Sequence, residues 1–90
     1  MVNDMKIGVC GSMESNDCII TVKENYTQTN EIKINSIVRD FFYDQIYDVI
    51  EKTLKENNIQ NVIVECNDKG ALDFTIKARL LCAINRYRGE

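Results

Sequence analysis

The stretch Ala71-Leu-Asp-Phe-Thr-Ile-Lys-Ala-Arg-Leu-Leu-Cys-Ala-Ile-Asn-Arg-Tyr87 decides the fold, because it carries two competing periodicities. Leu72, Phe74, Ile76, Ala78 and Leu80 alternate as in a strand, whereas Leu72, Ile76, Leu80, Ala83 and Tyr87 form a helical stripe. The 17 residues contain no turn signal, and strands usually run to about 5–6 residues. Length therefore selects a helix. Upstream, Ser36 to Asn57 has helical period through Val38, Phe42, Ile46, Val49, Ile50 and Leu54. Arg39, Asp40, Asp44, Asp48, Glu51, Lys52 and Lys55 fill the other face, Ser36 is the expected N-cap, and Asn57-Asn58 suits a left-handed exit.

Outside these helices the β-branched runs Cys18–Val22, Glu31–Ile34 and Val62–Cys66 read as strands, the first two flanking a polar loop from Glu24 to Asn30. A further strand is expected near Lys6–Cys10. The order is strand, strand, helix, strand, helix. Residues 31–66 suit a right-handed crossover unit. The fold class this predicts is α+β, a small three- or four-stranded sheet with two helices packed on one face. Residues 1–90 are read as a single domain.

Composition removes several chemistries. The chain has no histidine, which excludes His-based triads and His-metal sites. It also lacks proline and tryptophan, and its four glycines are isolated, so no phosphate-cradling loop is present. Hydrophobic residues make up 44% and charged residues 28%, a globular profile. With no long apolar run and no signal-like opening, a cytoplasmic protein without membrane contact is expected. The triplet Asn25-Tyr26-Thr27 matches a glycosylation acceptor, but it carries no meaning in such a setting.

Charge is unevenly placed. Residues 1–68 hold six basic and twelve acidic side chains, and residues 69–90 hold five basic and two acidic ones. An acidic body argues against nucleic-acid binding, which needs many phosphate contacts. The basic last segment, with Lys69, Lys77, Arg79, Arg86 and Arg88, suits either an acidic partner or the solvated face of a terminal helix. Cys10, Cys18, Cys66 and Cys82 show no metal-ligand spacing and read as structural, with Cys66 and Cys82 inside apolar patterns as small hydrophobes. Phe41, Phe42, Tyr43 and Tyr47 cluster at one helix end, part core and part available surface.

The segment Gly11-Ser-Met-Glu-Ser-Asn-Asp17 holds two of the three serines in the chain. Small polar residues ahead of a strand predict an exposed, mobile segment, where modifiable side chains occur. Without a histidine base, neither Ser12 nor Ser15 is a triad nucleophile, though either hydroxyl can be modified by another enzyme.

Asp68-Lys-Gly-Ala-Leu-Asp73, continuing through Ile76-Lys77-Ala78-Arg79, resembles the signature of the citrate lyase acyl carrier protein, the gamma subunit. Met13, Glu14, Ser15 and Asp17 resemble the family's second motif, and the likeness spans nearly the whole chain. The resemblance implies a non-catalytic acyl carrier domain. It makes Ser15 the serine that holds 2'-(5''-phosphoribosyl)-3'-dephospho-CoA through a phosphodiester. Ser12, where the family often has threonine, is the competing hydroxyl.

It further implies that the arm's thiol carries acetyl and citryl thioesters between the alpha subunit, which exchanges acetyl for citrate, and the beta subunit, which releases oxaloacetate. The implied partners are these two subunits, a prosthetic-group transferase and an acetate-ligating enzyme. Two other readings stand beside this one: the acyl carrier of malonate decarboxylase, and an unmodified interaction module using Phe41–Tyr47 or the basic last helix.

Overall fold

In a computed structural model, the described residues are 6–37 and 39–89. Strands β1 (Ile7–Gly11), β2 (Cys18–Glu24) and β3 (Glu31–Ser36) precede helix α1 (Arg39–Glu56), strand β4 (Val62–Asp68) and helix α2 (Asp73–Arg88). The class is the expected α+β, with the additional strand realised as β1. Val38, which belongs to the helical stripe in sequence, lies outside the described residues, as do the side chains of Arg39 and Asp40.

The sheet order is β1-β2-β4-β3. β4 runs antiparallel to β2 and parallel to β3, with α1 as the crossover. The two strands that flank the polar loop are thus not neighbours, since β4 lies between them. Alternation sets the faces. Cys18, Ile20, Val22, Val62, Val64 and Cys66 are buried together with Ile46, Ile50 and Leu54 of α1 and Ile76, Leu80, Ala83 and Ile84 of α2. The opposite face carries Ile63 and Glu65 of β4 between Lys23 and Lys33 of its neighbours, with no helix over it among the described residues.

The ambiguous stretch is helical from Asp73 to Arg88, and it ends on Gly89 with φ 79°. Helix α1 closes in a Schellman motif: Asn58 (φ 55°) donates to Lys55 O, and Ile59 donates to Leu54 O at 3.0 Å. At its start, the β3–β4 ladder runs on through the pair Ser36–Asp68, and the Ser36 Oγ, the expected cap of α1, donates to Asp68 Oδ2 at 2.7 Å. Phe42 is not core. The buried stripe of α1 begins only at Ile46, and Phe42 remains 46% exposed.

Gly8 allows α2 to lie against β1. A Cβ there would stand 2.0 Å from Ala83 O and 2.4 Å from Tyr87 N, both backbone atoms. The polar loop is organised by Asn25, which is buried. Its Nδ2 donates to Thr29 O and to Glu31 Oε2, and its Oδ1 accepts from Thr27 N–H and Oγ1. The glycosylation-like triplet is therefore a turn stabiliser. Asn25→Ala is expected to cost about 2 kcal/mol, since truncation of this buried amide removes the hydrogen bonds that hold the turn. Urea unfolding would measure it, and a loss below about 0.5 kcal/mol would contradict this account.

Candidate functional site

Local geometry at the β1–β2 connection separates its two serines. Gly11 (φ 114°) turns the chain where a Cβ would strike Cys18 O at 1.9 Å, and Ser12 N–H donates to that carbonyl at 3.1 Å. A tight turn follows, closed by Asp17 N–H to Glu14 O at 3.1 Å, with Ser15 and Asn16 at its centre. Asn16 has φ 66°, the left-handed conformation that asparagine tolerates. Ser12 is half-buried, and its Oγ donates to Asp17 Oδ2 at 2.7 Å. Ser15 is exposed at the tip, and its hydroxyl has no partner among the described residues.

The tip is exposed as expected, but its base is tied down. Asn16 N–H donates to Lys69 O, and Lys69 N–H donates to Asp17 O, each at 2.8 Å. Arg79 grips Asp17 with two bonds, Nε to Oδ1 at 2.9 Å and Nη2 to Oδ2 at 3.0 Å. Cys18 N–H adds a third donor at 2.7 Å. The Arg79 guanidinium, then the Ser12 hydroxyl and the Cys18 amide, hold the Asp17 carboxyl well below the usual carboxylate range. So committed an anion is a poor base for Ser15.

A depressed folded pKa gives stability that is present above the unfolded value of about 3.9 and is lost as pH falls through the folded one. Asp17→Asn is expected to be less stable than the parent above pH 4, with the difference shrinking in stronger acid. Thermal melts across that window check it; a pH-independent difference would contradict it.

Asp68 ties the same end of the molecule together. It is buried, and it accepts from Ser36 Oγ at 2.7 Å and from Ala71 N–H at 2.8 Å, joining the end of β3 to the entry of α2. The two motifs that are far apart in sequence therefore meet: Asn16 and Asp17 on Lys69 and Arg79, Ser36 on Asp68. The sequence named Ser15, Asp17 and Asp68 but gave no sign of the Asp17–Arg79 pair, which spans 62 residues.

Around this end stand exposed apolar side chains: Met13, Ile37, Phe41, Phe42, Leu72 and Phe74. Phe42 and Ile46 of α1, with Ala71, Leu72 and Phe74 at the start of α2, line a groove of about 450 Å³. Of the aromatic cluster, none is core; Tyr43 and Tyr47 are half-buried and stack at 6.2 Å. The basic last segment is mostly engaged within the chain. Lys77 pairs with Glu56, Arg79 with Asp17, Arg86 donates to Val9 O and Arg88 to Asn57 O. The Lys69 ammonium alone in that segment has no partner among the described residues.

All four cysteines are free. Its hydrogen bond to Cys18, then burial, pushes the Cys66 thiol up, and burial, then Cys82, pushes up Cys10. Cys18 and Cys66 are packing groups of the core, and half-buried Cys10 packs against it. Among the described residues, no helix is long and apolar enough to cross a membrane.

Comparison with known proteins places this arrangement. The acyl-carrier family described as malonate decarboxylase delta subunit (MdcD) matches residues 5–87. A citrate lyase acyl carrier protein of Latilactobacillus sakei subsp. sakei is 49% identical over 85 residues, covering 94% of this chain and 83% of the relative. Those of Streptococcus mutans and Clostridium perfringens are 45% and 40% identical, covering 87% and 90% of this chain and 76% and 80% of their own. A chain from the crystal structure of a Pseudomonas malonate decarboxylase hetero-tetramer in complex with malonate superposes with a TM-score of 0.73 over 96% of this chain and 90% of its own. At 12% identity that likeness is one of fold. With identities this high over nearly its whole length, the chain belongs to the family of citrate lyase acyl carrier proteins.

Proposed function

We propose that this chain is the acyl carrier subunit of a citrate lyase, with Ser15 as the attachment point of a phosphoribosyl-dephospho-CoA arm. The observation that carries the choice of residue is the contrast within the loop: the Ser15 hydroxyl is exposed and unclaimed, while the Ser12 hydroxyl is bound to Asp17 at 2.7 Å. The residues present fit the group, because a phosphodiester at a turn tip needs an accessible oxygen and no cradle. When attached, the arm supplies a thiol that holds acyl groups as thioesters.

The rest of the chain's work is presentation. The clamp of Arg79 on Asp17 and the paired backbone bonds to Lys69 fix the root of Ser15, so reach belongs to the arm and not to the loop. Asp17 is committed elsewhere, so the base that takes the Ser15 proton during attachment belongs to the transferase. Tethering keeps the carried group at high effective concentration near both partner active sites. The exposed apolar rim beside Ser15 offers those alpha and beta subunits a contact surface.

The Ser12→Ala chain isolated from its host should retain the arm on Ser15. An adduct lost with Ser12 and kept in Ser15→Ala would move the site. The malonate decarboxylase reading draws on the description of the matching family, and the assay separates the two: the reconstituted complex should turn over citrate and not malonate.

A further inference from the structure

The groove between α1 and the entry of α2 adjoins the Ser15 turn. Asn16, next to Ser15, donates its amide to Lys69 O, and a Cβ on Gly70 would stand 3.6 Å from Asn16 Oδ1. Gly70 itself lines the groove. Its volume, about 450 Å³, is that of a small-molecule site. Its lining is unusual for a chain this charged: Leu72 is 63% exposed and Phe74 72% exposed, with Phe42 across from them. Such residues leave water only when something planar or apolar covers them. At the mouth, Gln45 donates to both oxygens of Asp73, at 3.0 and 3.1 Å, so that carboxylate is already engaged. Asp68, below, is satisfied by Ser36 and Ala71. Lys69, next to Gly70 in sequence, lines the neighbouring hollow with Met13 and Asp68, and its ammonium has no partner among the described residues.

The chemistry of the arm matches this layout. From Ser15 outward come a phosphodiester, a ribose, a second ribose bearing adenine, then a diphosphate and the pantetheine thiol. The base is therefore close to the root, flanked on both sides by anions. Adenine has a π-face that stacks on aromatic side chains, and its flanking phosphates call for a cation.

We propose that the groove lined by Phe42, Leu72 and Phe74 is a berth for the adenine ring of the Ser15-linked arm, with Lys69 as the counter-charge to its phosphates. This rests on the reading of Ser15 as the attachment point. Docking the base near the root leaves the portion beyond the adenosine free to travel, so the arm swings from the groove rather than from the serine. The thiol then searches a smaller volume, anchored on the face that carries the apolar rim.

The test uses holo chain from its own host, first shown by mass to carry the arm on Ser15. Its NMR spectra should show nuclear Overhauser contacts from adenine H2 and H8 to Phe42, Leu72 and Phe74. The adenine shifts should differ from those of free phosphoribosyl-dephospho-CoA. In Phe74→Ser and in Leu72→Ser, both exposed positions, these contacts should be lost and the shifts should return to the free values with the adduct intact. Free-like adenine shifts in a chain whose adduct is verified would overturn the berth alone. A mass without the adduct would remove the attachment reading and the berth with it. Groove resonances that move with concentration in the apo chain would place a second copy there, and that too would overturn the proposal.

Discussion

A chain carrying Ser15→Ala is expected to leave the assembled complex without citrate cleavage while melting at the parent temperature. The Ser15 side chain is exposed and hydrogen-bonds to nothing among the described residues, so its truncation removes no internal interaction. Surface changes of this type stay within about 0.5 kcal/mol. Activity is another matter, because under the proposed assignment Ser15 is the root of the carried group. A free cofactor would have to replace a tethered one, at a loss of about 10²–10⁴ in effective concentration. Complementation of a host lacking the native subunit, with lyase assay and thermal melts on the same preparations, measures both arms. Retained activity at parental stability would contradict the assignment.

The largest loss of stability is expected from Gly8→Ala. Most glycine replacements in strands are mild, but here the added carbon meets the backbone of α2, 2.0 Å from Ala83 O and 2.4 Å from Tyr87 N. Backbone cannot rotate away, so α2 must lift from β1. That movement strains the buried contacts of Leu80, Ala83 and Ile84 and the bond from Arg86 to Val9 O. Overpacking of this severity costs about 3 kcal/mol or more. For a domain of this size it lowers Tm on the order of 10–20 °C. Because α2 also carries Arg79, the clamp on Asp17 should loosen with it, visible as exchange broadening at residues 12–17. A Tm within 2 °C of the parent, roughly half a kcal/mol or less, would show that the helix does not lie where the structure places it.

The contrast between these two positions shows what a sequence can carry. Periodicity found both helices and the strands, because burial of one face leaves a repeating mark. It could not place β4 between β2 and β3, since sheet order follows from long-range pairing. It gave no sign that the Ser36 hydroxyl, a cap candidate in sequence, also binds the Asp68 carboxylate 32 residues away. Phe42 fits the helical stripe, yet α1 meets the core only from Ile46 onward, and no local pattern marks where a helix leaves the sheet. In the site, motif likeness pointed to Ser15, and small polar residues gave its exposure. The Arg79 clamp, the Lys69 backbone pair and the groove were invisible, because each joins segments more than twenty residues apart.

The central claim is tested most directly by the intact mass of the chain purified from its own host grown on citrate, followed by fragmentation of the tryptic peptide Ile7–Lys23. A phosphoribosyl-dephospho-CoA increment localised to Ser15 is the expected result. An unmodified mass from citrate-fermenting cells, or an increment on Ser12, would contradict it.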